Sequence, residues 1–148
     1  MLRAALLLAL LAIGGCKAQQ ADNDRAATSR DFPRAYRPVS ATKGNEFSTE
    51  AQRDSLNEAQ KVMDLAAIKE GSTVADIGAG EGYYTVRLGA RVGAKGRVLA
   101  GDIDPEAMRR LGARVERERL DNVSIKLGTP DDPRLPEASF DRIFLVHM

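Results

Sequence analysis

Apolar positions follow three different rules along this chain. Residues 4–13 are apolar without interruption, preceded by one charge at Arg3. Residues 16–45 repeat apolar side chains at neither helical nor strand spacing, so no face can be buried there and the segment reads as a flexible tether. Inside it, Pro33 and Pro38 with Phe32, Tyr36 and Val39 predict an extended arm from Asp31 to Gly44. From residue 46 the period switches back and forth between 3.6 and 2. Thr49 with Gln52 is a capping-box signal, and Leu56, Ala59, Met63 and Ala66 predict one amphipathic helix running towards Gly71. Strands are expected at 73–77, 97–100, 123–127 and 140–146, the last nearly all apolar, as in a strand covered on both faces. Tyr84, Leu88 and Val92 predict a helix stopped by Gly93. Asp104-Pro105 starts another helix, striped by Met108, Leu111 and Val115. Strands that alternate with helices predict an α/β fold with a parallel sheet.

Composition narrows the function. The chain has 148 residues, the length of one domain, and 43% hydrophobic with 29% charged residues excludes a wholly disordered or fibrous protein. Lys+Arg 22 against Asp+Glu 21 leaves a net charge of +1, spread unevenly: residues 16–45 carry +3 and residues 46–148 carry −3. A mildly acidic folded part argues against nucleic acid as a partner, because neutralising phosphates needs a basic excess. One cysteine and one histidine exclude an internal disulfide and a Cys- or His-based metal cluster, so no metal is expected.

The beginning of the chain reads as an address. Ten apolar residues, at about 1.5 Å each, are too short to span a bilayer but suit a secretory signal peptide over residues 1–15. Ile13-Gly14-Gly15-Cys16 resembles the bacterial lipobox, which implies lipidation of Cys16 and anchoring to a bacterial membrane on its periplasmic side, in the cell envelope. The other readings are a plain signal peptide or a mis-assigned start codon, the latter leaving the protein cytoplasmic.

The candidate chemistry sits in the first strand-to-helix turn, Val74-Ala75-Asp76-Ile77-Gly78-Ala79-Gly80-Glu81-Gly82-Tyr83. Glycines at alternate positions let the backbone turn tightly and approach a ligand, while the helix that follows offers N–H groups, so a nucleotide-like ligand is expected. The dinucleotide pattern G-x-G-x-x-G fails because Tyr83 stands where its third glycine belongs, and no Gly-Lys-Ser/Thr ending of a P-loop is present.

What the turn does match is D-x-G-x-G-x-G, with Asp76, Gly78, Gly80 and Gly82 in place, and it resembles motif I of the class I S-adenosylmethionine-dependent methyltransferases. The resemblance covers residues 46–148 and implies a Rossmann-like fold with strand order 3-2-1-4-5-7-6. This sequence would supply strands 1–4 and lack strands 5–7, as the N-terminal portion of a methyltransferase domain that alone is expected to be inactive. The implied cofactor is S-adenosylmethionine. Its implied contacts are the motif residues, then Asp102 and the adjoining Ile103 after the second strand, where a carboxylate accepts hydrogen bonds from ribose hydroxyls. An acidic adenine loop supplies Asp131, with Asp132 as the competing choice. The implied function is methyl transfer to a small-molecule acceptor, with the nearest group the ubiquinone/menaquinone-biosynthesis enzymes. The D/N-P-P-Y/F motif of nucleic-acid amino-methylating relatives is replaced by Phe144-Leu145-Val146-His147-Met148. The alternatives are a non-catalytic nucleotide-binding module, which export favours because the methyl donor is made in the cytoplasm, and a membrane-anchored interaction protein. No acceptor-side catalytic residue is legible; Tyr83 and Tyr84 are expected to pack, Asp104 to cap its helix, and Arg109, Arg110, Arg114, Arg117 and Arg119 to form a solvated face.

Overall fold

A computed structural model describes residues 49–146, together with Ala27 and Arg30. The chain divides into two compact units, Met1–Arg34 and Ala35–Met148; in the first, the Arg30 N–H donates to the Ala27 carbonyl at 3.3 Å. The expected signal peptide, Cys16, most of the tether, the extended arm over residues 31–44 and His147 lie outside the described residues.

The described part of the second unit begins with α1 (Glu50–Ser55) and α2 (Glu58–Leu65). The capping box is present in both directions: the Gln52 N–H donates to Thr49 Oγ1 at 3.2 Å, and the Thr49 N–H donates to Gln52 Oε1 at 2.8 Å. The single helix expected here is two. Asn57 sits in the left-handed region at φ 53°, a conformation Asn tolerates better than most residues, and it turns the chain between them. Leu56 consequently leaves the apolar stripe and is 66% exposed, while Ala59 and Met63 are buried.

Then follow β1 (Thr73–Ile77), α3 (Tyr83–Val92), β2 (Arg97–Asp102), α4 (Pro105–Glu118), β3 (Val123–Leu127) and β4 (Arg142–Leu145). All pairings are parallel, in the order β3-β2-β1-β4 with β1 inside. Asp104 caps α4 as expected, accepting from the Glu106 N–H at 2.8 Å with Pro105 at the first helical position. At the opposite end of β1, the Thr73 N–H donates to Asp141 Oδ2 at 2.8 Å, which sets the level at which β4 enters the sheet.

Register assigns the faces, because residues paired across parallel strands point the same way. Val74, Val98, Val123 and Phe144 belong to one buried cluster with Met63, Tyr84, Leu88 and Val92; Ala100, two residues beyond Val98, packs with Met108 and Leu111 of α4. Both clusters therefore occupy one face of the sheet. The other face carries Ile77, Leu99, Ile143 and Leu145, with Ile143 51% and Leu145 62% exposed. The apolar run of β4 would suit a strand covered on both faces; in this structure only its Phe144 is buried among the described residues, and the face bearing Ile143 and Leu145 is bare.

Close packing at two glycines separates steric need from convenience. A Cβ at Gly96, ahead of β2, would lie 2.6 Å from the Ser72 carbonyl oxygen and 2.4 Å from Val92 Cβ, whereas at Gly112 in α4 it would meet only the tip of the partly exposed Ile125, at 3.1 Å. Gly96→Ala is expected to destabilise the protein by about 1–3 kcal/mol. Gly112→Ala is expected to leave it unchanged or stabilise it by about 0.5–1 kcal/mol through helix propensity. Urea unfolding of both variants checks the pair.

Candidate active site: the glycine loop and its supports

The 78–82 loop leaves the carboxyl end of β1 and enters α3. Gly78, Gly80 and Gly82 all hold positive φ, at 73°, 54° and 88°, so the alternate spacing of glycines is a conformational requirement here. Their surroundings differ. A Cβ at Gly82 would lie 2.5 Å from Leu111 Cδ1, so Gly82 lets α4 press against the loop; at Gly80 a Cβ would meet nothing within 4 Å, leaving open space in front of the backbone.

Asp102, at the end of β2, ties the loop down. Its Oδ2 accepts from the Gly80 N–H at 2.9 Å and its Oδ1 from the Asp104 N–H at 3.0 Å. Each carboxylate oxygen keeps a second lone pair, so the group can also accept from ligand hydroxyls. Ile103 follows it, 36% exposed. The Gly101 carbonyl accepts from the N–H groups of both Gly78 and Ala79, at 2.9 and 3.0 Å, which holds the loop over the end of β2.

Asp76 sits beneath the loop, 3% exposed. Its Oδ2 accepts from the Thr85 hydroxyl at 2.6 Å, and the carboxylate also takes a backbone hydrogen bond from Thr85 in the first turn of α3. It thus satisfies the helix N-terminus, which has no side-chain cap at Gly82. Burial pushes its carboxyl up to about 6, with the nearby Asp102 charge adding to the rise and the Thr85 bonds opposing it.

The acidic loop also reaches this end of the sheet. Gly128 donates to the Asp102 carbonyl at 2.9 Å, and the Thr129–Asp132 bridge closes a turn containing Asp131. Asp132 Oδ1 accepts from the Arg134 N–H at 2.7 Å and so shapes that turn. The structure therefore brings Asp76, Gly78, Gly80, Gly82, Asp102, Ile103 and the loop bearing Asp131 together at the carboxyl ends of β1–β3. Carboxylates gathered there disfavour a polyphosphate and suit a ligand with hydroxyls and positive charge. The open space at Gly80 and this donor set fit S-adenosylmethionine, which carries a ribose and a sulfonium.

Sequence reasoning missed what holds the loop from outside. Arg53 of α1 is buried, its guanidinium carbon lying 3.5 Å from the centre of the Tyr83 ring, and Arg87 lies 3.8 Å from the same ring. The Tyr83 hydroxyl donates to Asp54 at 3.1 Å and the Tyr84 hydroxyl to Glu58 at 2.8 Å. Burial first and that Glu58 bond second push the Tyr84 hydroxyl up to about 12. Arg114, expected on a solvated face, instead reaches Glu50, Glu118 and the Glu81 carbonyl. Arg109 keeps the expected surface role, bonded to Glu106.

Residues 74–148, half of the chain, match the family model described as a methyltransferase domain. The chain belongs to the methyltransferase-domain family. Nocamycin O-methyltransferase of Saccharothrix syringae is 34% identical over 83 residues, covering 56% of this chain and 30% of that protein. A protein-L-isoaspartate O-methyltransferase of Methanothrix thermoacetophila is 34% identical over 82 residues, covering 55% and 39%. The chain thus spans well under half the length of these curated relatives. Among solved structures, an S-adenosylmethionine-dependent methyltransferase from Aquifex aeolicus superposes with a TM-score of 0.56 at 29% identity, over 65% of this chain and 55% of that one. A protein-L-isoaspartate O-methyltransferase superposes with a TM-score of 0.56 at 26% identity, over 86% and 44%. The fold is that of the class I S-adenosylmethionine-dependent methyltransferases, and S-adenosylmethionine is the cofactor of this family.

Asp76 makes stability in this methyltransferase domain depend on pH in a direction opposite to that of most carboxylates. Because its folded value, about 6, exceeds the unfolded value of about 4, the folded state holds the proton longer and stability falls as pH rises between them. Asp76→Asn removes the buried charge. Its melting temperature relative to the parent is expected to rise from about pH 4 to about pH 6 and then level off. A difference independent of pH overturns this assignment.

Proposed function

We propose that this chain binds S-adenosylmethionine across the 78–82 loop and takes part in transferring its methyl group to a small-molecule acceptor. The observation that carries the reading is the open space before Gly80, beside a carboxylate already fastened to the Gly80 N–H. In the proposed complex Asp102 accepts from the ribose hydroxyls, Ile103 lies along the adenine side and the loop bearing Asp131 faces the adenine edge. Asp76 holds α3 from below and keeps negative charge under the cationic end of the ligand. When bound, the cofactor supplies an electrophilic methyl on sulfur. The residues around the glycine loop orient the ligand and keep the loop from collapsing into its own site, so their contribution is positional.

For the acceptor, we infer the small-molecule group that includes quinone-biosynthesis enzymes. The mildly acidic charge of residues 46–148 and the sequence after β4, which is not D/N-P-P-Y/F, support a small molecule over a nucleic-acid base. We also infer that residues 1–15 are an export leader and that Cys16 carries lipid, which would place the domain in the cell envelope. The support is the Ile13-Gly14-Gly15-Cys16 pattern after a ten-residue apolar run. No described helix is long and apolar enough to cross a membrane.

Calorimetric titration with S-adenosylmethionine and S-adenosylhomocysteine tests the cofactor reading. Asp102→Ala removes two charge-assisted acceptors worth about 1.5–3 kcal/mol each, so affinity is expected to fall about a hundredfold or more. Affinity unchanged in that variant overturns the ribose assignment, and no binding by the parent overturns the function. Separately, Cys16→Ser is expected to move the protein from the membrane to the soluble fraction of expressing bacteria, or to block its processing. An unaltered membrane fraction with unaltered processing overturns the lipid anchor.

A further inference from the structure

One interaction chain connects the beginning of the described unit to the glycine loop. Arg114 lies on α4, yet its side chain is only 18% exposed. Its Nη1 donates to Glu50 Oε1 at 2.6 Å and its Nη2 to Glu50 Oε2 at 3.0 Å, a bidentate pair that locks the plane of the guanidinium. Its Nε donates to Glu118 at 2.9 Å. With the plane fixed, Nη1 also donates to the carbonyl of Glu81 at 3.0 Å. Glu81 is the residue between Gly80 and Gly82, and its carboxylate lies 3.2 Å from Nε of Arg110 on the same helix. Glu50 is the first residue of α1 and also faces Arg87 of α3 at 3.4 Å. Four elements thus meet on two side chains, and the backbone they act on belongs to the loop.

A surface ion pair with no further partner would contribute little here. This one differs because its rigid fork ends on a main-chain carbonyl inside a segment whose flanking glycines resist no rotation by themselves. Gly80 and Gly82 both stand at positive φ, and Gly80 has nothing packed where a side chain would be. The Glu81–Gly82 peptide plane is held at its N–H edge by the Ala79 carbonyl at 2.8 Å, and Arg114 grips its carbonyl edge, so the two contacts together fix its orientation.

We propose that Arg114 is a positioning residue for the cofactor loop, and that Glu50 makes its grip conditional on α1 being docked, so cofactor binding and α1 docking favour each other. This rests on the cofactor reading above. The two are thermodynamically linked, and linkage is reciprocal: whatever α1 contributes to loop order, a bound cofactor returns as protection of α1.

The test is a double-mutant cycle on the full chain, read by titration with S-adenosylhomocysteine and by hydrogen exchange. Arg114→Ala is expected to weaken binding by about tenfold, within the usual range of coupling between sites, and Glu50→Gln to weaken it severalfold. In the Arg114→Ala background, Glu50→Gln is expected to cost nothing further. Arg114→Lys, which keeps charge without the fork, is expected to bind like Arg114→Ala while melting closer to the parent. Arg109→Ala is the control and leaves binding unchanged. Added S-adenosylhomocysteine is expected to slow exchange at residues 50–55 in the parent but not in Arg114→Lys. Without ligand, Glu50→Gln is expected to speed exchange at the Gly80 and Gly82 amides. Penalties that add, or binding by Arg114→Lys equal to the parent, overturn the inference while leaving the cofactor reading intact. A parent that binds no cofactor overturns that reading, and ligand-free exchange that is identical in Glu50→Gln then overturns the tie between α1 and the loop as well.

Discussion

One carboxylate, that of Asp102, organises the carboxyl end of the sheet. A strand end normally leaves its following loop to find hydrogen bonds by itself. Here the two oxygens of Asp102 take N–H groups from two different segments, Gly80 in the turn after β1 and Asp104 in the turn after β2. The same residue offers its carbonyl to Gly128 after β3. Three turns that would otherwise fluctuate separately share one anchor, and the shape of the candidate site is the shape of that arrangement. A neutral side chain of the same length could reproduce part of the geometry but could not accept on both oxygens.

The polar clasp that joins α1 to α3 and α4 is the second organising feature, and its described cations are arginines, set against Glu50, Asp54 and Glu58. Guanidinium groups stay charged at any pH the protein meets, and they stack on rings as lysine does less well. Tyr83 is gripped on its ring by Arg53 and Arg87 and at its hydroxyl by Asp54. Glu50 and Asp54 are held below the usual carboxylate range chiefly by hydrogen bonds from Arg114 and Arg87 respectively. Burial pushes Asp76 underneath the loop up to about 6, while Glu50 and Asp54 in the clasp stay charged around neutral pH.

Periodicity and glycine spacing make the central part of this fold legible in the sequence. The strands at Thr73–Ile77 and Val123–Leu127, the cap at Asp104 and the capping box at Thr49 all follow from local rules that the folded chain obeys. Of the expectations that failed, one turned on a single backbone conformation and the other on distant partners. Nothing near Asn57 in sequence announces a left-handed residue, and helical spacing across it is good enough to imply continuity. Arg114 stands in a run of alternating charges that looks like a solvated surface, and only the sheet order brings Glu50 and Glu81 to it. Within the site, the glycines and Asp102 were readable because their roles are local to a βαβ unit. The ring of support around Tyr83 was not readable, because it joins residues up to 37 positions apart through side chains of ordinary surface type.

Distance along the chain has a consequence for how these parts come together. The Gly80–Asp102 bond closes 22 residues, whereas the Glu50–Arg114 pair closes 64 and the Thr73–Asp141 bond closes 68. Loop-closure entropy grows with the logarithm of length, so the first closure is cheaper than the second by about 1 kcal/mol. The βαβ segment from β1 to β2 contains the whole glycine loop and its anchor, and it can shape that loop before either terminal element has joined. By closure length alone, the glycine loop and its Asp102 anchor cost less chain entropy than the Glu50–Arg114 and Thr73–Asp141 contacts that brace them from further along the chain.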